Sequence, residues 1–241
     1  MRGKGNMVEE NSLSNDYPTE VFLSGGSVFL RMPNIESDII HGRWHEWFND
    51  SEITKYLVHG VYPIDKSGEA ELIKEEMKRA SSLILCVIEK EKNKHIGVIS
   101  LKNIDLINRT AEISIVMGPN QNSIAAIEAM SLLMRHAFDR LNLSLLYSGQ
   151  HEALWKWVNT LSLIGFGIDG FRKQAGFRKG KSYGILHTSV SSEDFYELQR
   201  LRNGNILTDN PIQLLRSRKK TNPLVELEAA IDGFNREWRG I

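Results

Sequence analysis

The chain has 241 residues, of which 41% are hydrophobic, and its 30 lysines and arginines balance 30 aspartates and glutamates to a formal net charge of zero. That length suits one large domain or a domain with an extension, and the charge balance argues against a nucleic-acid binder held by broad electrostatic attraction. No apolar run approaches the roughly 20 residues that span a bilayer, so no membrane role is expected. The single cysteine excludes an internal disulfide and any multi-cysteine metal centre.

Residues 1–20, MRGKGNMVEENSLSNDYPTE, are polar and lack the apolar stretch of a secretory signal; they read as a loose tail, and a cytoplasmic protein is expected. VFLSGGSVFLRM, residues 21–32, reads as a strand or hairpin around Gly25 and Gly26. DIIHGRWHEWFNDSEITKYL follows with Ile40, Trp44, Trp47 and Phe48 at helical spacing. Residues 66–80, KSGEAELIKEEMKRA, form a charged amphipathic helix. SLILCVIE and HIGVISLKNI are strands joined by the solvated turn EKEKNK, and LINRT leads to a third strand, AEISIVMG, completing an antiparallel meander. Cys86 sits inside the first of these strands, where a buried, inert thiol is expected.

PNQNSIAAIEA links that meander to a helix carrying Ile127, Met130, Met134, Ala137, Phe138 and Leu141. A strand, a tight polar loop and a helix start form a place where backbone N–H groups can receive a phosphate, although the loop has no glycine after Gly118. An ordinary capped helix start, with Asn120, Asn122 or Ser123 as the cap, is the other reading. SLLYSG is a strand. Residues 151–166 form a helix stopped by Gly165, with Leu154, Trp157, Val158 and Leu161 as its apolar stripe. GIDGFRKQAGFRKGKSYGILHTSV is punctuated like a hairpin ending in the strand ILHTSV, and SSEDFYELQRLR is a short helix with a Ser-x-x-Asp start. Beyond residue 200 a turn-rich stretch and the basic run RSRKK precede an amphipathic helix with Asn222 as N-cap and Pro223 at its first position. Its stripe of Leu224, Leu227, Ile231, Phe234 and Trp238 wants a partner surface. RSRKK reads as a solvated linker or as a phosphate contact.

This order resembles the GNAT superfamily of acyl-CoA N-acyltransferases, and within it the branch of ribosomal-protein alanine and nucleotide-amino-sugar acetyltransferases. The likeness runs from about residue 29 to residue 195. FLRMPNIESD, with Leu30-Arg31 and Asp38, then WFND and KYL, resembles that branch's opening. LIGFGIDGFRK and GKSYG resemble its closing signature, with Gly184 where an Asp is usual. The resemblance implies an α/β (α+β) GNAT fold: a central mixed, mostly antiparallel twisted sheet flanked by helices, spanning residues 21–200, with residues 201–241 as a C-terminal helical extension.

The resemblance also implies transfer of an acetyl group from acetyl-CoA to a primary amine. Backbone groups of Ile115, Val116 and Met117 are then expected to hold the pantetheine arm. The amides of Gln121, Asn122, Ser123, Ile124, Ala125 and Ala126 are expected to hold the pyrophosphate. Ile124 stands where the family has glycine, a substitution tolerable only if the backbone there is helical and the side chain points away. Glu112 is a candidate base or an outward-facing strand residue. Gln150 or His151 could replace the family's coenzyme-contacting Asn, and His151 is also a catalytic candidate. The family's tyrosine acid maps to Leu161, leaving Tyr147 and Tyr183 as nearby phenols. Trp44, His45, Trp47 and Asn49 fall in the section bordering the acceptor site, where aromatic faces suit sugars; core packing is the other reading of the tryptophans. The acceptor expected is a small-molecule amine, with an amino sugar, free or nucleotide-linked, ahead of a protein N-terminus. A GNAT fold that binds but no longer catalyses is the rival reading, motivated by Ile124, Leu161 and Gly184. No metal ligand set is expected, and the C-terminal helix could pair two copies into a homodimer.

Overall fold

The computed structural model describes residues 20–57, 62–119, 121 and 123–240. The expected tail over residues 1–20, apart from Glu20, and the expected roles of Asn120 and Asn122 therefore lie outside the described residues. In chain order the elements begin with a hairpin, β1 (Leu23–Ser24) and β2 (Val28–Arg31). A π-helical turn follows at Ile35–Ile40, then α1 (Trp44–Asn49), α2 (Ser51–Thr54) and α3 (Lys66–Lys78). The strands β3 (Leu83–Glu89), β4 (Lys94–Asp105) and β5 (Thr110–Met117) form the expected meander, and α4 (Ser123–Asp139) leads to β6 (Leu145–His151). Beyond a 3₁₀ turn come α5 (Trp155–Leu161), β7 (Gly167–Arg178), β8 (Lys181–Ser191), α6 (Ser192–Leu201), α7 (Pro211–Arg216) and α8 (Leu224–Arg239).

The strands make one eight-stranded sheet in the order β1-β2-β3-β4-β5-β6-β8-β7, antiparallel throughout except for the β5–β6 pair. Helices cover it, as expected. The parallel pair needs a crossover, which α4 supplies. Strand alternation sorts the side chains to two faces. Leu85, Ile99, Leu101, Ala111, Ile113, Leu146 and Val190 pack against Ile127, Met130, Leu133 and Met134 of α4 in the main core. The opposite face of β3 and β4 carries Ile84, Cys86, Ile88 and Val98 against Trp44, Trp47 and Ile73. Each fully buried aliphatic side chain contributes about 1.5–3 kcal/mol relative to exposure, so α4 is locked down mainly by its apolar face in the main core.

Two contacts explain features of the first hairpin. A Cβ on Gly25 would lie 2.3 Å from Oε1 of Glu128, a buried carboxylate of α4. The turn wraps that carboxylate, which accepts from the Ser27 amide at 3.0 and 3.2 Å and also from the Gly26 amide and the Ser27 hydroxyl. Arg31 forms a two-pronged ion pair with buried Asp38, at 2.6 and 2.7 Å, and the Asn34 amide donates to the same carboxylate at 2.7 Å.

The amphipathic stretch before residue 58 is not one helix. Asp50 is extended (ψ 117°), and its carboxylate accepts from the amides of Glu52 and Ile53 at 2.7 and 3.4 Å, starting α2 afresh. The side-chain cap wins over continuing the helix. Two local signals elsewhere hold: Gly165 stops its helix at φ +103°, and Ser191 and Asp194 form a capping box. The last helix starts one residue later than expected: Pro223 is its N-cap rather than its first residue, and Asn222 just before it accepts from the Leu224 amide at 3.1 Å. Cys86 is fully buried, and burial together with Asp38 pushes its thiol well above the ordinary range.

Residues past 200 lie on the same body. Ile206, Leu207 and Leu214 join the main core, and Leu224 packs with Val158 and Leu186. The basic run is tied down by Asn159, whose amide donates to the carbonyls of Lys219 and Thr221 at 2.9 and 2.8 Å.

Candidate active site

The parallel pairing of β5 with β6 covers only Thr110, Ala111 and Glu112, opposite Leu145, Leu146 and Tyr147. Beyond Glu112 the two strands part. Ser114, Ile115, Val116 and Met117 keep their β4 partners, Ser100, Ile99, Val98 and Gly97, but have no strand on the other side among the described residues. Ser148–His151 likewise pairs only with β8. The result is a V-shaped slot floored by main-chain donors and acceptors, which need a partner once water is excluded.

At the open end of the slot, β5 gives way to α4. Gly118 is in close contact with Trp47: a Cβ there would meet the indole at 2.8 Å, so the small residue lets the chain pass over the ring. Ser123 opens α4, and Ile124 is its second residue, so the backbone at 124 is helical and the β-branched side chain costs no turn geometry. A helix N-terminus presents first-turn amides and the positive end of its dipole, chemistry that fits a pyrophosphate. Gln121 folds back on the loop, its side-chain amide donating to the Pro119 carbonyl at 3.2 Å. Unpaired main chain along β5 and a helix start at its end fit the extended arm and diphosphate of coenzyme A.

On the sheet face opposite α4, a cavity of about 550 Å³ opens between the segment that ends α2 and the tip of the β7–β8 hairpin. His151 is stacked on Tyr183 (centroids 4.5 Å apart, planes at 22°), and Tyr56 covers it at 4.6 Å. The Ala153 amide donates to His151 Nδ1 at 3.1 Å. Nδ1 is thereby used as an acceptor, so the neutral ring carries its proton on Nε2 and presents a donor. Burial, with help from Arg178 and against the pull of Glu152, lowers the His151 pKa. Arg178 latches the hairpin tip to the α2 segment, donating to the carbonyls of Thr54 (3.4 Å), Lys55 and Leu57 (2.6 Å).

Several expected site residues have other work. Trp44 and Trp47 are 0% and 4% exposed and pack around His95 in the second core, so they cannot offer a face to a sugar. That corrects the expectation of a stacking platform: the helical stripe of α1 turns inward. The Asn49 side chain is committed to main chain, bonding the His45 carbonyl and both polar groups of Ile64. Gln150 is buried in a chain with Ser148 and Thr188, its two polar ends at 2.8 and 3.1 Å. Leu161 is fully buried core. Gly184 has a steric reason: a Cβ there would sit 2.1 Å from the Phe171 ring and 2.9 Å from Glu152 Oε2. Glu152 supplies a carboxylate at that point, accepting from the Gly184 amide at 2.9 Å.

Glu112 stands at the vertex of the V, opposite Tyr147, and accepts from the Asn103 side chain at 3.2 Å. It lies outside the cavity that holds His151 and Tyr183. Tyr147 and His151 are four positions apart, about 13 Å along β6. The candidate catalytic groups thus fall into a vertex pair and a mouth pair. Between them lies a residue that sequence reasoning missed. His187 pairs with Gly149 across β8, and its Nε2 is buried with no hydrogen-bond partner among the described residues. Period-two alternation through ILHTSV, with Leu186, Thr188 and Val190 buried, was the signal that it faces the other way. Tyr56, Arg178, Lys179 and Lys181 were also missed; only the glycine in RKGK marked the tip. Among the described residues Asp38, Cys86 and His95 form the one cluster with metal-ligand spacing, but Arg31 already occupies that carboxylate.

Comparisons with known proteins agree with this geometry. A family model described as an acetyltransferase (GNAT) domain matches residues 28–166. A spermidine N-acetyltransferase from Vibrio cholerae, solved with CoA and spermine, is 20% identical with a TM-score of 0.65, over 71% of this chain and 99% of that one. A GNAT-family acetyltransferase from Bacillus anthracis is 19% identical with a TM-score of 0.60, over 71% and 98%. An N-acetyltransferase from Brucella melitensis is 22% identical with a TM-score of 0.62, over 76% and 83%. A search of curated proteins finds no match. Among the described residues no helix is long and apolar enough to cross a membrane. With the family model spanning more than half of its residues, the chain belongs to the GNAT acetyltransferase family, whose N-acetyltransferases take their acyl group from acetyl-CoA.

Proposed function

We propose that this chain acetylates the primary amine of a small molecule, with an amino sugar, free or nucleotide-linked, as the first candidate. The observation that carries the reading is the parting of β5 and β6 immediately beyond Glu112 and Tyr147. The slot takes the donor arm from one side, and the cavity at His151 lets an acceptor approach from the other. The flat pair of His151 and Tyr183 supplies the ring face that α1 does not.

Acetyl-CoA supplies the acyl carbon as a thioester. An alkylammonium with a pKa near about 10.4 must lose a proton before it attacks. The Glu112 carboxylate at the vertex accepts that proton, directly or through water, and His187 on β8 has an Nε2 with no hydrogen-bond partner among the described residues. The amine nitrogen bonds to the carbonyl carbon, the C–S bond breaks, and the departing thiolate takes up, directly or through water, the second proton that the nitrogen loses as the amide forms. Main-chain N–H groups of β5 beyond Glu112 are placed to stabilise the carbonyl oxygen as charge builds on it. Holding donor and amine in one slot supplies much of the acceleration.

The test is release of free thiol from acetyl-CoA by the purified protein with amino sugars, a sugar nucleotide bearing an amine, spermidine and peptide N-termini. Release with a small-molecule amine supports the reading. Release with peptides alone turns it to the protein-N-terminus alternative, and no release with any amine favours a binding module.

The C-terminal helix supports a second part of the proposal, a homodimer. Phe234 and Trp238 are stacked 6.0 Å apart at the end of α8 and are 62% and 80% exposed. Glu226 and Glu228 lie near the start of the helix, and Arg236 and Arg239, with Glu237 between them, leave a net positive end. A second copy laid antiparallel would set acids against bases while covering the rings, the self-complementarity a two-fold interface requires. A solution mass of two chains that falls to one in Trp238→Glu supports it; a monomer at micromolar concentration overturns it.

A further inference from the structure

We propose that the acceptor carries an anionic group, a phosphate or a carboxylate, and that Lys179 and Lys181 at the β7–β8 tip bind it. This rests on the reading that the cavity at His151 takes the amine.

The cavity is lined by four cations, Lys55, Arg178, Lys179 and Lys181, and by one carboxylate, Glu152. Three of these charges have partners already. Lys55 pairs with Glu52 at 3.0 Å, Arg178 is spent on carbonyls of the α2 segment, and Glu152 holds the Gly184 amide. Lys179 and Lys181 make no ion pair among the described residues, and both are exposed. Two lysines flanking one glycine beside a bound arginine repel one another, so the tip gains when an anion arrives.

The backbone points the same way. Lys179 has φ +50° and Gly180 φ +75°, two successive left-handed residues closing the hairpin. Such a turn favours Asn, Asp or Gly at its first central position, and lysine there is a costly choice. Arg178 then pins the tip across the cavity mouth, which gives the two ammonium groups a fixed base rather than a loose loop. A polyamine, with only positive charge to offer, meets repulsion here. The Vibrio cholerae spermidine enzyme shares the fold; the acceptor chemistry of this cavity is of the opposite sign.

The experiment uses the full chain and matched amines: glucosamine against glucosamine 6-phosphate, alanylalanine amide against alanylalanine, and spermidine. Thiol release gives kcat/KM, and calorimetry without acetyl-CoA gives acceptor binding independently of turnover. One anionic member is expected to exceed its neutral partner by roughly tenfold or more, the sugar pair reporting phosphate and the peptide pair carboxylate. Lys179→Glu/Lys181→Glu is expected to erase that preference in both readouts, while its binding of acetyl-CoA shows that the donor site is still folded. Equal values within both pairs, or spermidine as the best ligand, overturn the proposal. If no amine releases thiol, the acetyl-transfer reading fails, and the calorimetric preference alone upholds or overturns the anion site.

Discussion

The phenol ring of Tyr183 lies between the imidazole of His151 and the backbone of Gly176: the two rings stack at 4.5 Å, and a Cβ on Gly176 would fall 2.3 Å from the Tyr183 hydroxyl. The mouth of the cavity is therefore built by a close approach that only glycine allows. Gly176→Ala is expected to tilt Tyr183 off His151 and raise the acceptor KM by about two- to tenfold, the value of one aromatic pair. The KM for acetyl-CoA should stay near that of the parent in the same assays.

Glu112 is half-buried at the strand vertex, and its role is separable from that of the mouth. Glu112→Gln keeps the shape and the contact with Asn103 but cannot accept the proton. A fall in kcat of about 10²–10⁴-fold is expected near neutral pH, partly recovered as pH rises and the free amine forms unaided. A pH–rate series on both proteins checks this.

How much of this was legible in the sequence depends on how local each cause is. The meander, the Gly165 stop and the Ser191–Asp194 box each depend on a few adjacent residues, and all are found. The break at Asp50 was hidden because a helical stripe runs on past a side chain that caps a new helix. Trp44 and Trp47 show the limit for function: helical spacing says that they share a face, not whether that face turns to a ligand or to His95. Glu128, Arg178 and His187 act through partners about 100, about 120 and 38 positions away, as shown by Ser27, Lys55 and Gly149, and no window of sequence pairs them. The opening pattern of Arg31 and Asp38 was read as a family trait; the structure gives it a cause, a buried ion pair.

Removing one member of that pair tests the cause. In Asp38→Ala the Arg31 guanidinium stays largely buried without its partner, a loss of about 3–5 kcal/mol. Denaturant unfolding should show it as a lower midpoint with little change in slope. An effect below about 1 kcal/mol would mean that the pair is no better than an exposed one.

Stability should also fall on mild acidification. Burial lowers the pKa of His95, His136 and His151. The unfolded chain, with ordinary histidines near about 6.5, then binds more protons than the folded one as pH drops through that value. The contribution is present above that value and is lost below it. Asp38 adds a second loss at lower pH: burial would raise its pKa, but Arg31, the Asn34 amide and His95 together hold it down. Thermal midpoints at pH 7.5 and pH 5.5 should differ, the acidic one being lower.

Calorimetric titration of acetyl-CoA into the parent protein, with Ile124→Gly measured alongside, asks directly whether the slot beyond Glu112 and the start of α4 hold the donor. Micromolar-range binding by the parent, not tightened by glycine, is the predicted result, because residue 124 already lies in helical backbone. No binding by the parent, with binding restored by Ile124→Gly, would contradict it and show a donor site closed by the isoleucine.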